Sequence, residues 1–128
     1  MQQKLQLMII DDEPIVGKRL KPALEKSGYE VETFTAGAEA IRRLREKAFD
    51  IVVTDIRMDE IDGMEIMAKA MEISPKTKVI IITGYATIEM AHEALAKGAF
   101  DFIAKPFKPN DLRAVIAKAS DSLKKQAS

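Results

Sequence analysis

Four apolar stretches of this chain end on residues that could do chemistry. Met8–Ile10 runs into Asp11, Asp12 and Glu13, and Ile51–Thr54 stops on Asp55. Val79–Ile82 stops on Thr83 and Gly84, and the stretch from Phe100 to Ala104 stops on Lys105 and Pro106. If these ends meet, three carboxylates, one hydroxyl and one ammonium share one crevice. Adjacent carboxylates repel, and one of them would bind a proton unless something held the charge. A hard divalent cation does so, and an all-oxygen set with few protein ligands suits Mg2+, which keeps several of its waters. Thr83 and Lys105 have no obvious use to that metal, but they suit an anion beside it, lysine as a point charge and threonine as a hydroxyl donor. Metal, hydroxyl and ammonium together surround a phosphoryl group, and Asp55 is placed to accept it covalently.

The elements that must bring these ends together are legible in the periodicity. Strands are expected at Leu5–Ile10, Tyr29–Phe34, Asp50–Asp55, Val79–Ile82 and Phe100–Ala104. Between them run amphipathic stretches. Pro14 opens one in the first helical turn, where its missing N–H does no harm, with Val16, Leu20, Ala23 and Leu24 at helical spacing and Gly28 as its stop. Pro22, in the middle of it, should kink or fray this helix. Gly37–Lys47 sets Ala40, Ile41 and Leu44 on one face, and Asp62 with Glu65 has capping-box spacing ahead of Met64, Met67, Ala70 and Met71. A fourth helix is expected from about Ala86 to Lys97 with Gly98 as its stop, and a fifth from Pro109 through Leu112, Ile116, Ala119 and Leu123, fraying over residues 124–128. Strict alternation of strand and helix with short connections predicts right-handed crossovers and an α/β fold: a parallel sheet with helices on both faces. Ligands of such sheets bind at the carboxyl ends of the strands, where the polar residues lie.

Composition narrows the class. The chain has 128 residues, 47% hydrophobic and 31% charged, with zero formal net charge and no cysteine. No global field draws it toward nucleic acid or anionic lipid, and neither a disulfide framework nor a thiolate metal site is available. Apolar runs of four or five residues are far too short for a membrane span. "MQQKLQL" lacks the apolar core of a signal peptide. One cytoplasmic domain covering residues 1–128 is the expectation, with neither membrane nor direct nucleic-acid contact.

With these residues in order, the sequence resembles the receiver domains of two-component response regulators, from about Lys4 to Leu123. The resemblance rests on "DDE" at 11–13, "VVTDIRM" at 52–58, "DG" at 62–63, "ITGYA" at 82–86 and "GAFDFIAKPF" at 98–107. The last is especially similar to receivers attached to σ54-dependent activators. The resemblance implies a flavodoxin-like doubly wound domain, five strands in the order 2-1-3-4-5 with five helices. It implies Asp55 as phosphoacceptor, Asp12 as direct Mg2+ ligand with Asp11 acting through water, and the backbone carbonyl of Arg57 as a further ligand. Thr83 and Lys105 would bind phosphoryl oxygens, Phe102 would move inward as Thr83 is drawn to the phosphate, and the Lys105–Pro106 bond would be cis. Arg57 and Tyr85 would flank the path of the hydrolytic water and modulate the lifetime of the phosphoryl group.

The implied function is a signalling switch: a histidine kinase or phosphotransfer protein donates to Asp55, and the face of the fourth helix, fifth strand and fifth helix changes. An output domain C-terminal to this chain and a homodimer through that face, near Leu95 and Val115, are further implied partners. No free substrate is turned over, so no enzyme in the usual sense is expected. The chain departs from the family pattern in three places. Asp59 stands where a proline is usual, Lys108 holds an N-cap position that favours Ser or Asp and should weaken the last helix's start, and Phe102 lacks a tyrosine hydroxyl.

Plainer readings compete. Alone, Asp11 and Asp12 could be helix-start carboxylates favoured by the dipole; Asp55, Thr83 and Lys105 tip the balance. The methionines at 64, 67 and 71 read as core filler, His92 as an exposed helical residue without chemistry, and Arg42, Arg43 and Arg45 as a solvated face. A flavodoxin-like phosphate binder would need a glycine-rich loop where "DDEP" stands. An aspartyl phosphohydrolase would need a second Asp where Arg57 stands. A degenerate receiver acting only as an interaction module is the alternative, and the intact set of five polar residues argues against it.

Overall fold

The computed structural model describes residues 4–58, 61–84 and 88–127. Its strands are β1 (Gln6–Ile10), β2 (Glu30–Phe34), β3 (Ile51–Asp55), β4 (Lys78–Thr83) and β5 (Asp101–Ala104). The helices are α1 (Pro14–Lys26), α2 (Gly37–Glu46), α3 (Gly63–Ile73), α4 (Ile88–Ala96) and α5 (Pro109–Ala127). All strand pairs are parallel, in the order β2-β1-β3-β4-β5. This is the doubly wound α/β fold expected, and most element ends fall within a residue or two of the periodicity.

The period of two in each strand divides the core. Met8, Ile10, Val52, Val79 and Ile81 face α2, α3 and α4, where Leu44, Ile66, Met67 and Ala94 close over them. Leu7, Ile9, Ile51, Val53, Ile80 and Ile82 face α1 and α5, against Leu20, Leu24, Leu112 and Ile116. The central strands are therefore apolar on both faces, which is why they read as continuous rather than alternating runs. Only their ends are free to carry charge.

Three local expectations are corrected. α1 does not fray at Pro22: helix continues to Lys26, with Pro22 exposed and Leu20 and Leu24 anchoring the buried side. The start of α5 is held despite Lys108: the Lys108 N–H donates to Asp111 Oδ2 at 3.0 Å, and the Asp111 N–H donates back to the Lys108 carbonyl at 2.9 Å. The cap is supplied from the third helical residue instead of from the N-cap side chain. Nor does helix end at Leu123; it continues to Ala127, with Lys124 and Lys125 placed favourably against the negative end of the dipole. Gly28 and Gly98, read as helix stops, adopt φ of 99° and 118°, a conformation that costs glycine little. The expected first turn of the fourth helix at Ala86 lies outside the described residues. Among those residues no helix is long and apolar enough to cross a membrane.

Candidate functional site

The register explains the convergence. Ile10 is paired with Thr54, Asp55 with Ile82, and Thr83 with Ala104, so β1, β3, β4 and β5 stop nearly level. Asp11 follows β1 and is buried, Asp12 is exposed, and Asp55 closes β3. One carboxylate oxygen from each of the three lies within 4.8 Å of the others. Thr83 ends β4, fully buried, and donates its hydroxyl to the Gly84 carbonyl at 3.2 Å. The Lys105 N–H bonds the Thr83 carbonyl at 2.7 Å, tying the end of β5 to that of β4, and the Lys105–Pro106 bond is cis.

Lys105 reaches into the acidic cluster. Its Nζ lies 2.9 Å from Asp55 Oδ2 and 3.0 Å from Asp11 Oδ2. Burial alone would pull this ammonium down, but hydrogen bonding and charge pairing with Asp55 and Asp11 outweigh it and hold the group above the usual lysine range. Burial pushes the Asp11 carboxyl up, opposed by the Glu13 N–H, which donates to Asp11 Oδ1 at 2.9 Å, and by Lys105. Asp11 Oδ2 is buried, and its close cationic neighbour is the Lys105 ammonium at 3.0 Å. An anionic oxygen in that state has capacity for another cation. The donor set, all carboxylate with Asp12 open to solvent and Asp11 and Asp55 buried, fits a hard divalent ion better than a soft one.

The backbone around Asp55 is equally constrained. Its Oδ1 accepts from the Arg57 N–H at 3.2 Å, and the Arg57 side chain is exposed. Gly63, the first residue of α3, donates its N–H to the Ile56 carbonyl at 2.9 Å. A Cβ at Gly63 would collide with the Asp55 carbonyl and come within 2.7 Å of Ile56 Cα. The Asp62 side chain caps the same helix by accepting from the Glu65 N–H at 3.0 Å. Phe102 is half-buried on β5, its ring meeting the edge of His92 at 5.9 Å between centroids and 68° between planes. Tyr85 and Asp59 lie outside the described residues.

Two features had no role in the sequence reading. Glu13 Oε1 lies 3.3 Å from Lys105 Nζ. The only signal for it was its place as the third acid of "DDE". Beside the site, Ile15, Val16, Leu20, Pro106, Phe107 and Pro109 line a groove of about 540 Å³ that Glu13 and Lys105 border. Ile15, a plausible core residue by type, is 55% exposed there.

Comparison with known proteins places the fold in a family. The family model described as "Response regulator receiver domain" matches residues 7–117. The transcriptional regulatory protein GlrR of Escherichia coli (strain K12) is 37% identical over 121 residues, 94% of this chain and 27% of that protein. The response regulator receiver protein CpdR of Brucella abortus (strain 2308) is 38% identical over 106 residues, 83% of this chain and 88% of that protein. The chain thus spans about a quarter of the transcriptional regulator and most of the receiver protein. A receiver domain protein structure from Clostridium thermocellum superposes with a TM-score of 0.89 at 33% identity, covering 97% of this chain and 99% of that one.

Proposed function

The chain belongs to the response regulator receiver domain family, and we propose that its phosphorylation switch is worked by Asp55 as acceptor, with Thr83 and Lys105 receiving the phosphoryl oxygens. The observation that carries this is the contact of Lys105 Nζ with Asp55 Oδ2 at 2.9 Å, beside two further aspartates. The acceptor and an anion-binding ammonium are already adjacent before any phosphoryl group arrives. The donor is a histidine kinase or phosphotransfer protein. A carboxylate oxygen of Asp55 forms the new P–O bond while the P–N bond of the donor histidine breaks, its electron pair returning to the imidazole. The apolar groove lined by Ile15, Pro106 and Phe107 offers such a protein a seat next to the acceptor.

Mg2+ is the cofactor in this reading, held by Asp12 directly, by Asp11 through water, by Asp55 and by the Arg57 carbonyl. When bound, it neutralises charge on the transferring group. The three carboxylates with oxygens within 4.8 Å of one another support this assignment. Phosphorylation draws Thr83 toward the phosphate, Phe102 turns inward, and the α4–β5–α5 face changes by population shift. That face, with Leu95 exposed on α4 and Val115 half-buried on α5, serves an output domain or a second copy. The setting is the cytoplasm, the output is transcriptional control as in σ54-type regulators, and no free substrate is turned over.

Mg2+ with a small acyl-phosphate donor should add one hydroxylamine-labile phosphoryl group to the intact mass, and Asp55→Asn should abolish it. Label persisting on that variant sinks the acceptor assignment. A wild type that takes up no phosphoryl group under any donor would leave an interaction module.

A further inference from the structure

We propose that Glu13 is a positioning residue that keeps Lys105 at the site when a divalent cation occupies the three aspartates. This rests on the metal site proposed above. Glu13 stands at the N-cap of α1, yet its side chain makes no capping hydrogen bond. Its Oε1 meets Lys105 Nζ at 3.3 Å across a separation of 92 residues. Lys105 has two other carboxylate neighbours, Asp11 and Asp55, and both belong to the cluster that gathers around a cation, whereas Glu13 does not. A cation on Asp11 and Asp55 takes up the charge that held the ammonium and repels it at short range. Glu13 is then the one of these three partners left to hold it. With its side chain 63% exposed, Glu13 can follow the ammonium outward without leaving a buried group unpaired. The pair also borders the groove beside the acceptor. Lys105 thereby stays within reach of an incoming phosphoryl oxygen instead of swinging into solvent.

The test titrates Mg2+ into wild type, Glu13→Gln, Lys105→Met and the double variant, followed by amide NMR shifts. Glu13→Gln should weaken Mg2+ binding about threefold, the scale of one partly exposed ion pair, and should have a smaller effect in the Lys105→Met background. Equal effects in both backgrounds would mean that Glu13 acts only as a nearby charge, and would overturn the proposal. A second measurement does not depend on the Lys105 variant folding. In Mg2+-saturated protein the Lys105 ε-methylene should be ordered in wild type and mobile in Glu13→Gln. If Mg2+ binds but the methylene is equally mobile in both, the role of Glu13 falls alone. If wild type shows no Mg2+ response, the metal site falls and the proposal with it.

Discussion

Lys105 Nζ stands 2.9 Å from Asp55 Oδ2 although 50 residues separate the two in sequence. The sheet brings the two positions near each other, because β4 lies between β3 and β5 and all three end nearly level. Repulsion among the aspartates is thus partly offset by the ammonium. In the function proposed above, the same ammonium stands ready for a phosphoryl oxygen. Assembling charge in advance spares the site reorganisation during transfer.

That offset is incomplete, and Asp11 should show it. Its folded-state pKa is raised above the ordinary value of 3.8, chiefly by burial. A raised pKa means the folded state binds more protons than the unfolded state, so the associated stability is present below about pH 3.8 and is lost as pH rises through the folded value. Asp11→Asn keeps an oxygen for the Glu13 N–H and removes the charge. Without metal, the variant should unfold at higher urea than wild type at pH 7, with the gap closing toward pH 3.5. A variant less stable than wild type at pH 7 would contradict the sign.

Gly63 should be irreplaceable in a way that Gly84 is not. A methyl at Gly63 must push on the backbone of Asp55 and Ile56, whereas one at Gly84 meets nothing within 4 Å. Gly63→Ala should cost about 3 kcal/mol, the upper part of the range for overpacking, and should slow phosphoryl uptake by displacing Asp55. Gly84→Ala should stay within about 0.5 kcal/mol of wild type, the scale of unconstrained surface changes. Urea midpoints of the two variants make the comparison.

The contrast between these glycines shows what could be read before the fold was known. Asp11, Asp55, Thr83 and Lys105 were legible as a site because each ends an apolar run, and parallel topology sends all such ends to one edge. The "DG" at 62–63 was visible only as a motif; its reason is a close crossing of α3 over the end of β3, which no periodicity encodes. Glu13 escaped for a similar cause, since the direction of an exposed side chain is settled by tertiary partners. The helix start at Lys108 is legible from its spacing: Asp111, three residues on, is placed for a reciprocal cap. Ile15 is apolar on a helix, and only the groove beside it explains its exposure.

His92 should bias the switch without taking part in the chemistry. Its exposed ring contacts the ring of Phe102, the residue proposed to turn inward on phosphorylation. An edge-to-face aromatic contact is worth about 0.5–1.5 kcal/mol. His92→Ala, by removing this contact, should raise the inward population about threefold in unphosphorylated protein. Fluorine-labelled phenylalanine resonances would report it. Unchanged populations would show that the contact is incidental.

The phosphorylated protein should be long-lived. Hydrolysis of an aspartyl phosphate needs a water roughly in line with the breaking P–O bond. Arg57, two residues past the proposed acceptor Asp55, is exposed, with its N–H on Asp55 Oδ1 at 3.2 Å. Its guanidinium is long enough to donate to a phosphoryl oxygen, which favours the ground state. Tyr85, two residues past Thr83, is the other large side chain that the family pattern sets beside that approach. Neither provides a carboxylate or amide suited to hold the attacking water. A lifetime of many minutes follows in the absence of a phosphatase. Arg57→Asn combined with Tyr85→Ala should speed hydrolysis about tenfold, equivalent to roughly 1.4 kcal/mol off the barrier. The measurement is the decay of phosphorylated protein after the donor is removed. A wild-type decay within seconds, or no acceleration in the double variant, would mean that these side chains do not gate the water.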